Sequence, residues 1–340
     1  MNRNLNQHAT VLIFALCVLS VLTMFAVSVG VQIRQSFTMV ARLNGRDQVD
    51  WLTRSGVQLA RYVILHGPHA SDPFKSGRSK QHWFNNPELF KDIRLSTGSI
   101  ELVYERYDDA FSEQPVRVYG LEDEGGKINM NIADRSELIR LFQLAGSLTQ
   151  TAAEDLANAI LDWRQTGETE ISGFDGGNYY SGLTFPYSPK KGPFENFSEL
   201  LLVKGMNPEI LNRLRAFITV YGQGKVNVNT ASPTVLMALG MSAHTAQLLA
   251  EGRKGPDGEE GTADDFIFRV PDGVSLGLKG FLELTAAELA EIDMLYVGQK
   301  ISIDSEYVRA RVRAYLPYTQ ENRSIDCVFR ITDGKITEWR

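Results

Sequence analysis

Carboxylates and glycines are concentrated in one stretch of this 340-residue chain, GPDGEEGTADDF, which runs from Gly255 to Phe266. Glycine lets the backbone turn so that carbonyl groups point inward, and clustered carboxylates supply hard oxygen ligands, of which Ca²⁺ takes about six to eight. The spacing and the terminal Glu of an EF-hand are missing. A calcium site is predicted, with a solvated acidic loop as the alternative. The predicted ligands are Asp257, Glu259, Asp264 and Asp265.

A second, looser group of oxygen-bearing side chains follows Leu161-Asp162-Trp163. It runs from Glu168-Thr169-Glu170 to Asp175-Gly176-Gly177-Asn178. Ligands that are close in sequence tie down a loop, so a calcium ion in either place is expected to be structural.

The histidines form no recognisable catalytic or zinc motif. The sequence has five of them and contains neither His-Glu-x-x-His nor Gly-x-Ser-x-Gly. His66 and His69 lie at a predicted helix end without an obvious third ligand, so a surface position is the simpler interpretation. We therefore do not predict an enzyme. A membrane-anchored hydrolase that uses the region of His66, His69 and His82 is a competing hypothesis.

An uncharged apolar segment near the N-terminus anchors the rest of the chain. No Asp, Glu, Lys or Arg occurs between Arg3 and Arg34, and about 20 apolar residues cross the ~30 Å hydrocarbon layer as a helix. A secretory signal has a shorter core of about 7–15 residues before its cleavage site. We predict a membrane-spanning helix over residues 10–33, with a cleaved signal or a buried soluble helix as alternatives. Arg3 and the amino terminus favour a cytoplasmic start.

Beyond Arg34 the apolar pattern changes its period but does not stop. Intervals of three and four predict an amphipathic helix with one stripe to bury. His66-Gly67-Pro68 ends it, because Gly and Pro interrupt helices. The stripe comprises Phe37, Val40, Leu43, Val49, Leu52, Val57, Ala60, Tyr62 and Val63.

Composition excludes some classes of protein. Hydrophobic content of 43% and charged content of 22% are ordinary for a globular protein. The net charge of −6 argues against nucleic-acid binding, which depends on Lys and Arg. The two cysteines, Cys17 and Cys327, lie in the membrane segment and in a predicted strand, so no disulfide is expected.

Alternating, β-rich stretches flank the middle of the chain. They lie at residues 99–107, 116–121, 307–315 and 325–331, and Asp333-Gly334 then gives a hairpin signal before a last alternating run. We predict an α+β fold in which an antiparallel sheet covers the long helix. Its first strands lie within 34–131, its last strands lie within 296–340, and residues 132–295 are a mostly helical insertion.

The insertion contains an internal repeat. GKINMNIA at 126–133 recurs as GKVNVNTA at 224–231, and each copy leads into a helix. Asn131, Asn229 or the residues just after them can cap these helices. A further helix is predicted over residues 207–221, so that the region resembles helix-hairpin-helix modules. The hairpins are nearly uncharged, which favours a packing role over DNA binding.

Together these features resemble a known family. The runs GKINMN, ILDWRQTGETE, GGNYYSG, KKGPFENFSELLLVKGM and VYGQGKVNVNTASPTVLMALG resemble the minor pseudopilin K subunit of type II secretion systems. The resemblance implies a pilin-like protein, anchored once in the bacterial inner membrane with its bulk in the periplasm. It implies a position at the tip of the pseudopilus, with the minor pseudopilins I and J and the major pseudopilin as partners. A membrane-anchored DNA receptor of a competence-type uptake system is the alternative.

The resemblance also implies specific residues. Prepilin peptidase would cut a leader, residues 1–9, between Ala9 and Thr10, although the family has Gly before the cut. The family's calcium ligands would correspond to Asp162, Glu168, Glu170 and Asp175, and the 255–265 loop resembles a calcium loop of the major pseudopilin. The fifth residue after the cut, a Glu in pilin-like filaments, is Phe14 here. A first subunit has no partner ahead for that charge, so an apolar residue suits the tip.

Overall fold

The computed structural model of the chain describes residues 3–66, 83–107, 114–165, 176–258, 260, 262, 265–268, 284–318 and 320–340. The helices in these ranges are α1 (Arg3–His66), α2 (Pro87–Phe90), α3 (Arg135–Leu144), α4 (Gln150–Arg164), α5 (Gly176–Ser181), α6 (Pro208–Leu214), α7 (Pro233–Ala238), α8 (Ala243–Gly252) and α9 (Ala286–Val297), with a 3₁₀ helix at Phe197–Leu202. The strands are β1 (Ile93–Arg94), β2 (Ser99–Arg106), β3 (Val116–Tyr119), β4 (Glu122–Asp123), β5 (Ile128–Asn129), β6 (Ile218–Thr219), β7 (Val226–Asn227), β8 (Ile301–Ser302), β9 (Tyr307–Leu316), β10 (Glu321–Arg330) and β11 (Ile336–Trp339).

Helix α1 is continuous over 64 residues. Its part from Val11 onward contains a stretch that is long and apolar enough to cross a membrane, and none of that stretch is buried in the protein. The described part of the helix extends to His66, and the predicted break at Gly67-Pro68 lies outside the described residues.

The lower half of α1 packs on the sheet. Val49, Leu52, Val57 and Ala60 are buried there, and Ile64 extends the same face. Gly56 lies where the approach is closest, since a Cβ atom on it would stand 2.3 Å from Cγ1 of Val312.

The prediction of one stripe on α1 is wrong in part. Phe37, Val40, Leu43 and Tyr62 are exposed and point away from the sheet. Residues three and four apart can lie on either side of a helix, so the predicted stripe combined residues from two different faces of α1.

The sheet joins both ends of the chain, and the predicted α+β arrangement is confirmed. Its order is β1-β2-β9-β10-β11, with β3 beside β2 and β4 beside β9, all antiparallel. The chain leaves the sheet after β4 and returns in β9, which pairs with both β2 and β4. The predicted hairpin forms between β10 and β11, where Gly334 has φ of 62°.

The insertion has a hydrophobic core of its own. α3, α4, α7 and α8 surround residues such as Phe142, Ile160 and Leu236, apart from the core between α1 and the sheet. Parallel pairs β5–β6 and β7–β8 cross the insertion.

The helix predicted over residues 207–221 is wrong beyond Leu214. α6 ends there, and Ile218 and Thr219 form β6 beside Ile128 and Asn129. Phe217 and Ile218 are buried in this ladder, so a tertiary contact overrides the local pattern.

Candidate assembly surface, ion sites and joint

An apolar line runs along α1 on the side opposite the sheet. Its members lie eleven residues apart, which is about three helical turns with a drift of ~20° per step. We call this line the outer stripe, and it consists of Val18, Val29, Val40, Trp51 and Tyr62. It passes from the membrane segment into the half of α1 that carries the sheet.

Two aromatic side chains end the outer stripe. Trp51 is 69% exposed and Tyr62 is 61% exposed, although both lie beyond the membrane segment. The guanidinium of Arg54 lies 5.8 Å from the centre of the Trp51 ring, and Tyr62 stacks on His66. Trp, Tyr and Arg are the residues most often found at binding hot spots. Trp51 was not predicted from the sequence, although the eleven-residue spacing of the outer stripe was an available signal.

The predicted ion-binding residues fall into described and undescribed groups. Glu168, Glu170, Asp175, Glu259 and Asp264 lie outside the described residues. Within the described ranges, no group of three or more His, Cys, Asp or Glu side chains is placed to hold a metal ion.

Asp162 is the most informative of the predicted ligands that the structure describes. Its side chain is buried near the end of α4, and its Oδ1 atom lies 2.6 Å from Nζ of Lys191. Its Oδ2 atom is buried and accepts no hydrogen bond from the described residues. A buried carboxylate oxygen in this state has the chemistry of a free metal ligand, while Lys191 already balances part of the charge.

The other acidic loop has the backbone conformation that its glycines predict. Gly255 and Gly258 have φ of 64° and 73°. Asp257 is exposed, and Asp265 accepts a hydrogen bond from the hydroxyl of Thr262 at 3.4 Å. The structure does not bring Asp257 or Asp265 together with Asp162 in one cluster of the described residues.

The internal repeat extends further than its sequence signature. In each copy of the repeat, the second Asn forms hydrogen bonds with both backbone groups of a buried Phe. Asn131 accepts from the Phe194 N–H at 2.7 Å and donates to its carbonyl at 3.0 Å. Asn229 makes the same pair of bonds with Phe268, at 2.8 and 3.1 Å.

An arginine completes each repeat. Arg164, at the end of α4, donates to the carbonyls of Met130 and Ala133. Arg253, just after α8, donates to the carbonyls of Val228 and Ala231, which are the corresponding positions of the second copy. Each predicted ion loop therefore lies between such an arginine and the phenylalanine that the Asn grips, so the two loops are equivalent parts of a duplicated unit.

The predicted capping role falls to the residues after the asparagines. Asp134 and Ser232 are the N-caps of α3 and α7. The side chains of Asn131 and Asn229 instead form hydrogen bonds with the phenylalanine backbones. Their position just before a helix suggested a capping role that they do not have.

A buried polar joint connects the insertion to the sheet. Oε1 of Glu124 lies 2.7 Å from Nε of Arg309 on β9 and 3.1 Å from Nζ of Lys127. Oε2 of Glu124 accepts from the hydroxyl of Thr219 in the insertion. Burial raises the pKa of Glu124, but the charges of Arg309 and Lys127 outweigh it and lower that pKa to about 2.

Asp123 forms the other half of the joint, and no Lys, Arg or His of the described residues pairs with it. Its Oδ2 atom accepts from the Ser305 hydroxyl at 2.6 Å, from Thr230 and from the Asn227 amide at 3.1 Å. Its Oδ1 atom accepts from the Gly125 N–H at 2.9 Å. Burial raises the pKa of this carboxyl, and these hydrogen bonds oppose the rise. Asp123 thus links the sheet to the insertion through hydrogen bonds with Thr230 and Asn227.

Comparisons with known proteins agree with the family resemblance. Residues 118–223 match the family described as type II secretion system (T2SS), protein K. A solved structure, the GspK-GspI-GspJ complex from the type 2 secretion system of enterotoxigenic Escherichia coli, contains a chain of similar fold with a TM-score of 0.61. The two chains are 14% identical over 88% of this chain and 98% of the other, so the likeness shows the fold. No curated protein sequence matches the chain.

Removing either gripping asparagine is expected to destabilise the insertion. Asn131→Ala and Asn229→Ala each leave buried backbone groups of a phenylalanine without a partner, at about 1–3 kcal/mol per group. Chemical unfolding of the full chain measures the loss. Asn158→Ala, which removes only a surface acceptor for Arg135, should change stability by less than about 0.5 kcal/mol. Losses no larger than that control would contradict the assigned role.

The joint is expected to weaken in acid. The pKa of Glu124 in the folded protein lies below its ordinary 4.5, so its stabilising contribution is present above pH 4.5 and is lost as the pH falls toward 2. Glu124→Gln should cost about 1–3 kcal/mol near neutral pH, because it removes one charged partner from Lys127 and Arg309, which keep Glu122 and Glu338 as partners.

Unfolding free energies measured at several pH values test this expectation. The gap between the natural chain and Glu124→Gln should shrink as the pH falls from 4.5 to 2. Asp333, whose pKa its hydrogen bond with Arg330 lowers to about 2, is present in both proteins and does not affect the gap. A gap that stays constant would refute this view of the joint.

Proposed function

We propose that this chain, a minor pseudopilin that carries the K-subunit domain of type II secretion at residues 118–223, occupies the tip of the pseudopilus. It acts there as a structural subunit that starts or caps the filament during protein export. The outer stripe of α1 is the observation that carries this proposal, since it leaves an apolar rod uncovered beyond the membrane segment.

The occupant of the outer stripe is the N-terminal helix of another pseudopilin. Val18, Val29 and Val40 continue the membrane-spanning surface into the soluble half, where Trp51 and Tyr62 end it. A partner that covers this line must itself be a long apolar rod beginning in the same membrane, because the line has no break at the membrane boundary.

The evidence for the tip position comes from the N-terminal end of α1. Phe14 stands where pilin-like subunits carry the Glu that pairs with a neighbour's terminal amine, and its side chain is exposed. An unpaired carboxylate at that depth in the bilayer is costly, so the apolar residue fits a subunit with no neighbour ahead. The insertion would also crowd the interior of a helical filament, whereas an open end has room for it.

The proposed partners follow from this position. The complex of similar fold contains GspI and GspJ beside GspK, and we extend that arrangement to the corresponding minor pseudopilins for this chain. The major pseudopilin would follow behind them, and prepilin peptidase would process the leader between Ala9 and Thr10. The single membrane helix would place the bulk of the chain in the periplasm.

We also propose that a structural calcium ion stabilises the loop after α4. Asp162 fits this role, since its buried Oδ2 atom accepts no hydrogen bond within the described part of the chain. Glu168, Glu170 and Asp175 follow it in sequence. The equivalent loop of the second repeat, with Asp257, Glu259, Asp264 and Asp265, is the other proposed site. A calcium ion would supply charge balance there and tie the loop to the end of its helix.

The outer stripe is expected to determine assembly. Trp51→Ala or Tyr62→Ala should lower recovery of the minor pseudopilins I and J with the full chain, extracted from membranes, by about tenfold or more, as hot-spot residues do. Gln58→Ala is the matched control, because Gln58 is exposed on the same side of α1 between them. Undiminished recovery with both aromatic variants would exclude the stripe as the assembly surface.

Calcium is expected to raise the unfolding temperature of the full chain, and a chelator should reverse the effect. At 100 times the dissociation constant a ligand stabilises by about 2.7 kcal/mol. Asp162→Asn should remove a large part of this shift. Asp155→Asn, an exposed carboxyl on the same helix, should leave the shift intact. If the natural chain unfolds at the same temperature with calcium and with chelator, the calcium proposal fails while the assembly proposal stands.

A further inference from the structure

The segment 253–268 is attached to the insertion at both of its ends. At the first end Arg253 is buried and donates to the carbonyls of Val228 and Ala231. At the other end Phe268 is fully buried, and Asn229 grips its N–H and carbonyl. The N–H of Phe266 also donates to the Arg253 carbonyl at 3.0 Å, which ties the two ends together. These contacts fix both ends of the segment on the insertion.

The middle of this segment reaches the sheet. The carboxylate of Glu260 pairs with the guanidinium of Arg106, the last residue of β2. The carbonyl of Glu260 accepts from the side-chain amide of Asn85 at 2.8 Å. The segment that contains Asn85 is in turn fixed to the sheet, because the Tyr104 hydroxyl donates to the Phe84 carbonyl at 3.2 Å. One residue of the loop therefore contacts the sheet through both its side chain and its backbone.

These contacts are sheltered from water. The side chains of Arg106 and Glu260 are only 24% and 12% exposed. Solvent and salt screen a pair that is this sheltered less than they screen an exposed pair, and the backbone hydrogen bond beside it fixes its geometry. It lies on the β2 side of the sheet, whereas the joint of Asp123 and Glu124 lies at β4 and β9.

We infer that segment 253–268 is a strap that fixes the orientation of the insertion on the sheet, with Glu260, Arg106 and Asn85 as its positioning residues. Other contacts between the insertion and the sheet include the Tyr221 hydroxyl with Glu338 on β11 and Arg215 with Asp326 on β10. The strap adds an attachment on the β2 side, and attachment on both sides opposes rotation of the insertion about the joint. This role does not depend on a place in the pseudopilus, and Glu260 is not one of the residues proposed to bind calcium.

Hydrogen–deuterium exchange on the full chain in detergent tests the strap. Glu260→Arg and Arg106→Glu should each speed exchange of strap amides by about tenfold, since each reversal replaces an attraction by a repulsion. The double variant restores the pair with its charges exchanged, and it should return exchange to within about threefold of the natural chain. Glu209→Arg, which breaks an exposed pair with Arg213 on α6, should leave the strap unchanged.

Unchanged strap exchange in both single variants, with native circular dichroism, would overturn the inference. So would a double variant that exchanges as fast as the single ones. If a charge reversal prevents folding, Asn85→Ala provides the test, because it removes the hydrogen bond to the Glu260 carbonyl without reversing a charge. It should speed strap exchange by about threefold, and natural-rate exchange in that variant would equally refute the strap.

Discussion

A helix that leaves the lipid can keep an apolar surface only where another surface takes it out of water. In α1 this constraint is met on one side by the sheet, which covers Val49, Leu52 and Val57. On the other side Trp51 and Tyr62 stay exposed. The membrane anchor and the part of α1 that packs on the sheet therefore follow one another along a single helix. The proposed assembly surface lies on the opposite side of that helix from the sheet.

The insertion is joined to this spine by polar contacts rather than by a shared apolar core. Buried ion pairs such as Glu124 with Arg309 contribute little net stability compared with apolar packing, but they tolerate few alternative arrangements. The duplicated units, each closed by an arginine and a gripping asparagine, make the insertion rigid in itself. The insertion is thus rigid and is held on the sheet in one orientation. This suits a subunit that must contact several neighbouring subunits in a fixed arrangement.

Local patterns in the sequence predicted local structure well. They did not predict contacts between residues that are far apart in the sequence. The membrane helix, the Asp333-Gly334 hairpin and the repeat of GKINMN were readable, because turn chemistry and hydrophobic period act over a few residues. The pairing of Glu260 with Arg106 was not, since no pattern relates positions so far apart. The spacing of apolar residues along α1 also predicted an amphipathic helix. It did not distinguish the residues that face the sheet from those on the outer stripe.

The whole arrangement depends on α1 running unbroken from the membrane into the folded part. Spin labels at positions 28 and 55, both exposed serines, would measure this by electron–electron double resonance in lipid nanodiscs, with Cys17 replaced by Ser and Cys327 by Ala. At 1.5 Å per residue a continuous helix predicts one narrow distance distribution at about 40 Å. A broad distribution, or one centred well below about 30 Å, would show a break between the two halves and would contradict the account.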